Sequence, residues 1–259
     1  MITSASNDRV KRVAALGARA KERRLAGEYV VEGVRMFLEA PEEEICQVYV
    51  AEDFEDEACR KKLAGLPAET VSAGVFRKMS NTESPQGILC VMRMKSYTPG
   101  DLLHKPDPFL MILEEIQDPG NLGTILRTGE GAGIDGMIMS RGCADIYNPK
   151  TIRSTMGSIY RVPFLCDVSL KEEAERLRSA GVKLFAAHLK GPVCYDREDY
   201  RGGCAFLIGN EGNGLRPETA ALADACIRIP MAGQAESLNA AMASGILMYE
   251  AARQRRKTG

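Results

Sequence analysis

The second half of the chain alternates short apolar runs with amphipathic stretches. "FLMILEEI" (109–116), "GMIMS" (136–140), "VPFLCDV" (162–168), "VKLFAAHL" (182–189), "CAFLIG" (204–209) and "ACIRIPM" (225–231) predict strands, the first of them buried. Helices are predicted from about Leu122 to Gly131, over 169–181, over 215–225 and from Ser237 onward. Ser169 is a natural N-cap with Glu172 at N3, and Gly181 closes that helix. Strands separated by helices predict an α/β domain with a parallel sheet. The first hundred residues read differently. A basic helix is expected over 7–25, then strands at "EYVVEG", "ICQVYVA" and "GILCVMRM", with helices at "GVRMFLEA" and "EDEACRKKLAGL". This is a smaller α/β unit. The expected division is residues 1–95, a Pro-rich linker at 96–107, and a second domain at 108–259.

Composition narrows the class. The chain has 259 residues, with 45% hydrophobic and 27% charged, as in ordinary globular proteins. No apolar run approaches the roughly 18 residues of a membrane span, and the N-terminus lacks an apolar signal region. The expectation is a cytoplasmic protein with no membrane partner. Eight cysteines lie without C-x-x-C spacing and only two histidines are present, so no metal site is expected and free thiols fit a reducing compartment. Residues 1–24 hold seven basic side chains against two acidic ones, and "RQRRKTG" ends the chain. Such clusters could face phosphates or simply water.

"GAGIDG" (131–136) has the form G-x-G-x-x-G, but a helix precedes it and a strand follows. A dinucleotide loop needs the reverse order, so a helix C-cap and αβ turn are expected. "DPGNLGTILRTGE" (118–130) follows a buried strand and opens a helix, where open sheets place ligands. Asn121 is expected to cap that helix, and Arg127 stands nearly two turns on. In "FLIGNEGNGL" (206–215) three glycines allow close backbone approach, while Glu211 makes the loop a poor phosphate cradle. In "IPMAGQAESLNAAMASGILMYE" (229–250), Ser237 is expected at the N-cap and Asn239 in the first turn. Leu238, Ala241, Met242, Gly245, Ile246 and Tyr249 then fall at helical spacing, as core packing does.

These three stretches, in this order, resemble motifs one, two and three of the SpoU/TrmH branch of the SPOUT RNA methyltransferases. The resemblance covers residues 108–255. It implies an α/β domain with a parallel sheet and a deep trefoil knot, active as a homodimer through this C-terminal domain. It implies methyl transfer from S-adenosyl-L-methionine to a ribose 2′-hydroxyl in rRNA, 23S favoured, or tRNA. Carried over by position, Gly209, Gly212, Ile229, Met231 and Leu238 are the expected cofactor contacts. Asn121, Arg127, Glu211, Ser237 and Asn239 are the expected polar active-site residues. The first unit resembles the small domain, similar to RNA-binding ribosomal proteins, that binds substrate in many members. One departure is "SLNAAMA" where many members have "SLNVSVA", a change of packing rather than of chemistry.

The family proposal gives deprotonation of the hydroxyl to the arginine at position 127. An arginine is essentially never deprotonated in a protein. The preferred expectation is that its guanidinium binds the adjacent phosphate and stabilises the developing alkoxide. Asn121, Ser237 and Asn239 then orient the nucleotide. The alternative reading is a non-catalytic RNA-binding or ribosome-assembly protein that keeps the fold. The joint presence of Arg127, Glu211, Ser237 and Asn239 speaks against it. A small-molecule methyltransferase is disfavoured by the basic N-terminal arm and the appended unit.

Overall fold

The computed structural model describes residues 1–256; the last three, including Lys257 of the basic tail, lie outside the described residues. Up to residue 96 the chain forms α1 (Asp8–Ala18), α2 (Ala20–Ala26), β1 (Glu28–Glu32), α3 (Val34–Glu39), β2 (Ile45–Ala51), α4 (Glu57–Leu63), β3 (Ala68–Val71), α5 (Ala73–Met79) and β4 (Ile88–Arg93). It continues with α6 (Pro99–Leu102), β5 (Phe109–Leu113), α7 (Pro119–Ala132), β6 (Gly136–Ser140), α8 (Pro149–Thr155), β7 (Phe164–Val168), α9 (Leu170–Ser179), β8 (Lys183–Ala187), β9 (Val193–Cys194), β10 (Cys204–Ile208), α10 (Pro217–Ala220), β11 (Ala225–Arg228) and α11 (Ala240–Arg255). Two units result. One joins residues 1–96 with 145–160, the other 97–144 with 161 onward.

The first unit is a four-stranded sheet in the order β1-β4-β2-β3. Strand β4 is antiparallel to β1 and β2, while β2 and β3 are parallel. Val10, Val13 and Leu16 of α1 and Val75, Phe76 and Met79 of α5 form a core with Tyr49, Leu89 and Val91 of the sheet. The expected single helix over 7–25 is two helices, broken at Arg19, whose backbone is extended (φ −127°, ψ 118°). The break leaves the carbonyls of Leu16 and Gly17 without helical donors. The buried Arg23 guanidinium supplies them, with Nη1 2.7 Å from Leu16 O and 3.3 Å from Gly17 O. Its Nε and Nη2 donate to Asp145 Oδ2 at 3.1 and 2.5 Å. Arg9, Lys11 and Arg12 are paired with Glu69, Asp8 and Glu28, so much of the N-terminal positive charge is locally compensated.

Residues 145–160 complete this unit. Helix α8 packs on β1, the Tyr147 ring lies 4.6 Å from that of Tyr29, and the Tyr160 hydroxyl donates to Met36 O at 3.1 Å. Pattern reading passed over α8, and also over β3 and α5.

The second unit has seven strands in the order β7-β6-β5-β10-β8-β11-β9, and every pairing is parallel. Strands β5, β6 and β10 are buried at every position, as a sheet covered on both faces requires. Burial of each large side chain there contributes about 1.5–3 kcal/mol. The "GAGIDG" stretch is a helix end and turn: Gly133 is the left-handed C-cap of α7 (φ 83°) and β6 begins at Gly136. Within the polar stretch 96–107, Thr98 and Asp101 form a capping box on α6. Leu102 of α6 is buried, and a Cβ on Gly136 would stand 2.4 Å from its Cγ.

The apolar stripe of α11 is rotated from the expected one. The helix buries Ala240, Ala241, Ser244, Leu247, Met248 and Ala251, while Met242 and Tyr249 are 61% and 53% exposed. Small and apolar residues surround this helix, so spacing alone does not choose its inner face.

Candidate active site

Loops at the carboxyl ends of β5, β10, β8 and β11 meet at one edge of the seven-stranded sheet, where open parallel sheets hold ligands. Behind them lies a cavity of about 450 Å³, within the range of small-molecule sites. Its apolar wall includes Ile208, Ile227, Ile229, Leu238 and Leu247, and the backbone of 209–214 forms the facing rim.

The rim is held by three ties between the turn after β5 and the loop after β10. Asn210 donates from Nδ2 to Glu115 O at 2.8 Å and accepts at Oδ1 from the N–H groups of Gly212 and Asn213. Glu211 accepts from the N–H groups of Gln117 and Asp118 and from Asn121 Nδ2, each at 3.1 Å. Buried Glu114 accepts from Arg216 N and Nε at 2.8 and 2.7 Å and from the Thr219 hydroxyl. A Cβ on Gly209 would lie 2.1 Å from the backbone of Gly214 and Leu215. The loop therefore closes backbone on backbone, which only glycine permits there.

Partial burial alone would raise the Glu211 carboxyl. The hydrogen bonds from Asn121 and from backbone N–H groups outweigh it and hold the group below the usual glutamate value. Gln117 and Asp118 precede α7, where free N–H groups and the helix dipole also favour an anion. Glu211 is thus an ionised anchor with its oxygens engaged.

The helix starts differ from expectation. The N-cap of α7 is Asp118, which accepts from Asn121 N, with Pro119 at the first helical position. The N-cap of α11 is Asn239 rather than Ser237, accepting from the N–H groups of Ala241 and Met242 at 2.9 and 3.2 Å. Ser237 and Leu238 lie ahead of the helix, in the loop. The two asparagines are joined instead: Asn239 Nδ2 donates to Asn121 Oδ1 at 2.9 Å, which ties the two helix starts together.

Gly209, Gly212, Ile229, Met231 and Leu238 all line the cavity, with Glu211 and Ser237. Asn121 and Asn239 stand at the rim, joined to Glu211 through hydrogen bonds. Arg127 is apart: it is exposed on α7, outside the cavity lining, with no hydrogen bond or ion pair among the described residues. Sequence reasoning missed Glu114, hidden at the end of an apolar run, and Asn210. Among the described residues no cluster of His, Cys, Asp or Glu is placed to hold a metal ion.

The SpoU rRNA Methylase family model matches residues 108–249, and the MRM3-like substrate binding domain model matches residues 7–90. The chain belongs to the SpoU rRNA methylase family. It is 33% identical over 249 residues to the 23S rRNA (guanosine(2553)-2′-O)-methyltransferase RlmP of Bacillus subtilis, spanning 96% of this chain and 97% of that one. It is 32% identical over 253 residues to the 23S rRNA (uridine(2479)-2′-O)-methyltransferase of Streptomyces viridochromogenes, spanning 93% of this chain and 88% of that one. Among solved structures, the SpoU methyltransferase AviRb from Streptomyces viridochromogenes in complex with AdoMet superposes with a TM-score of 0.87 at 29% identity, over 96% of this chain and 98% of that one. An AdoMet-bound rRNA methyltransferase from Sinorhizobium meliloti gives 0.86 at 32%, over 99% and 98%.

This SpoU protein is an S-adenosylmethionine-dependent RNA 2′-O-ribose methyltransferase. The cavity fits the cofactor's chemistry. An apolar wall suits the adenine, and a close backbone rim offers N–H and C=O groups for its polar edges. The carboxylates of Glu211 and Glu236 favour a ligand bearing a sulfonium.

Proposed function

We propose that this enzyme methylates a ribose 2′-hydroxyl in 23S rRNA. The observation that carries methyl transfer at this site is the rim itself, where Asn239, Asn121 and Glu211 form one hydrogen-bonded chain at the mouth of the cavity; the choice of RNA rests on the relatives. Two relatives similar over nearly the whole chain, first unit included, bear 23S rRNA names, which favours rRNA over tRNA.

When bound, the cofactor supplies an electrophilic methyl group. The chain's residues do the rest. Gly209, Gly212, Ile229, Met231 and Leu238 hold the cofactor, with Leu238 and Ile229 excluding water from the apolar wall. Ser237, whose hydroxyl makes no hydrogen bond among the described residues, orients the nucleotide together with Asn121 and Asn239. Arg127, which has no hydrogen bond or ion pair among the described residues, holds the phosphate beside the target ribose and stabilises the alkoxide as the hydroxyl proton passes to solvent water. Glu211 anchors this rim and takes no proton.

We further propose a cytoplasmic homodimer built on the α7–α11 face. Met242 and Tyr249 are exposed there, and the Tyr249 hydroxyl lies over Gly131, one turn from Arg127. Tyr249→Arg is expected to give a monomer in sedimentation; an unchanged dimer removes this face as the interface. The trefoil knot belongs to the same proposal, supported by membership of the family.

The deciding experiment is transfer of a labelled methyl group to ribosomal subunits and to total tRNA, followed by nuclease mapping. Label in 23S rRNA at one 2′-O position is expected. Label confined to tRNA would replace rRNA with tRNA as the substrate. Cofactor binding without label in any RNA would favour a non-catalytic assembly factor.

A further inference from the structure

The cavity lining holds three charged side chains: Glu211, Glu236 and Lys190. Glu211 is engaged by three N–H donors. Lys190 is the one Lys or Arg in the lining, and its ammonium has no hydrogen bond or ion pair among the described residues.

Lys190 is also placed by a built turn rather than a slack loop. It follows β8, the strand between β10 and β11, so its turn lies between the two loops that form the rest of the cavity. Lys190 N donates to His188 Nδ1 at 3.1 Å, and Gly191 N donates to His188 O at 2.9 Å. Arg228 Nη1 donates to Gly191 O and Pro192 O at 2.7 and 2.9 Å. A Cβ on Gly191 would stand 2.7 Å from the backbone of Ile227, so the turn is seated directly on β11.

S-adenosylmethionine carries one carboxylate, one ammonium and one sulfonium. Two carboxylates against one ammonium in the lining match that ligand's net positive charge. The ligand's own carboxylate must still be kept away from Glu211 and Glu236, and Lys190 is the one cationic side chain in the wall able to receive it. We propose that Lys190 is the counter-ion of the cofactor's carboxylate and fixes which end of the cavity takes the amino-acid moiety. The proposal rests on the cofactor occupying this cavity. An exposed pair of this kind contributes modestly, so the effect lies in affinity rather than in folding.

Calorimetry on the full chain tests it with two ligands. S-adenosylhomocysteine keeps the carboxylate; 5′-methylthioadenosine lacks the whole amino-acid end. Binding of S-adenosylhomocysteine by the wild type, competed by S-adenosylmethionine, checks the cavity assignment first. Lys190→Ala is then expected to weaken S-adenosylhomocysteine about three- to tenfold, to leave methylthioadenosine unchanged, and to be largely rescued by Lys190→Arg. Equal losses for both ligands would mean that the residue only supports the loop, and would overturn the proposal. Unchanged S-adenosylhomocysteine affinity with weakened rRNA binding would overturn it in favour of a phosphate contact.

Discussion

Glu211 sets the direction of every hydrogen bond in its chain. An ionised carboxylate only accepts, so Asn121 must present Nδ2 to it and Oδ1 to Asn239. Asn239 must then present Nδ2, which leaves its Oδ1 for the start of α11. Because the native carboxyl is held below the ordinary value of 4.5, its contribution is complete above pH 4.5 and fades as pH falls through the lower native value. S-adenosylhomocysteine affinity should therefore hold to below pH 4.5 and then fall, with Glu211→Gln weaker at neutral pH and flat across that window. A wild-type affinity that falls well above pH 4.5 would refute this. Arg127 is the other residue-scale test. Arg127→Lys keeps the charge but loses the bidentate fork; turnover should fall roughly 10²–10³-fold in methyl-transfer assays. Arg127→Ala should leave cofactor affinity almost unchanged, since the residue lies outside the cavity lining.

Elements were legible where one physical cause decides them. "GMIMS" and "ICQVYVA" coincide with β6 and β2 residue for residue: the first is buried throughout, and the second, only partly buried, is rich in the β-branched and aromatic residues that strands favour. Helix starts were less legible. Asp118 and Asn121, or Ser237 and Asn239, are all good caps, and a bond between residues 118 positions apart chose between the second pair. For the first pair the signal was present: Pro119 favours the first helical position and points to Asp118. The same signal, Asn148 before Pro149, would have revealed α8. The cavity loop offers an element-scale prediction. Gly209→Ala forces a methyl against the Gly214–Leu215 backbone, and overpacking of this kind costs about 1–3 kcal/mol or more. A lowered melting temperature and loss of S-adenosylhomocysteine binding should follow together; an unaltered melting curve would show that the loop has room.

For the whole molecule, the boundary in sequence differs from the packing unit. Residues 145–160 sit between β6 and β7 in the chain yet complete the core around β1. Asp145 pairs with an Arg23 side chain that is 3% exposed. Asp145→Ala strands that guanidinium and should cost about 3–5 kcal/mol, read as a shift in denaturant midpoint of the first unit; a shift under about 1 kcal/mol would mean that Leu16 O and Gly17 O suffice. A linear reading of periodicity has no means of seeing such an assignment, because the deciding contact joins residues 122 apart.

The parallel sheet also bears on how the protein is made. Strand β5 lies between β6 and β10, and Phe109 pairs with Cys204. During synthesis at roughly 5–20 residues per second, "FLMIL" waits on the order of 5–20 s for that neighbour. Both edges of this wholly apolar strand are open until β6 emerges and one stays open until β10 does, so the ribosome-bound nascent chain offers a chaperone a target throughout that interval.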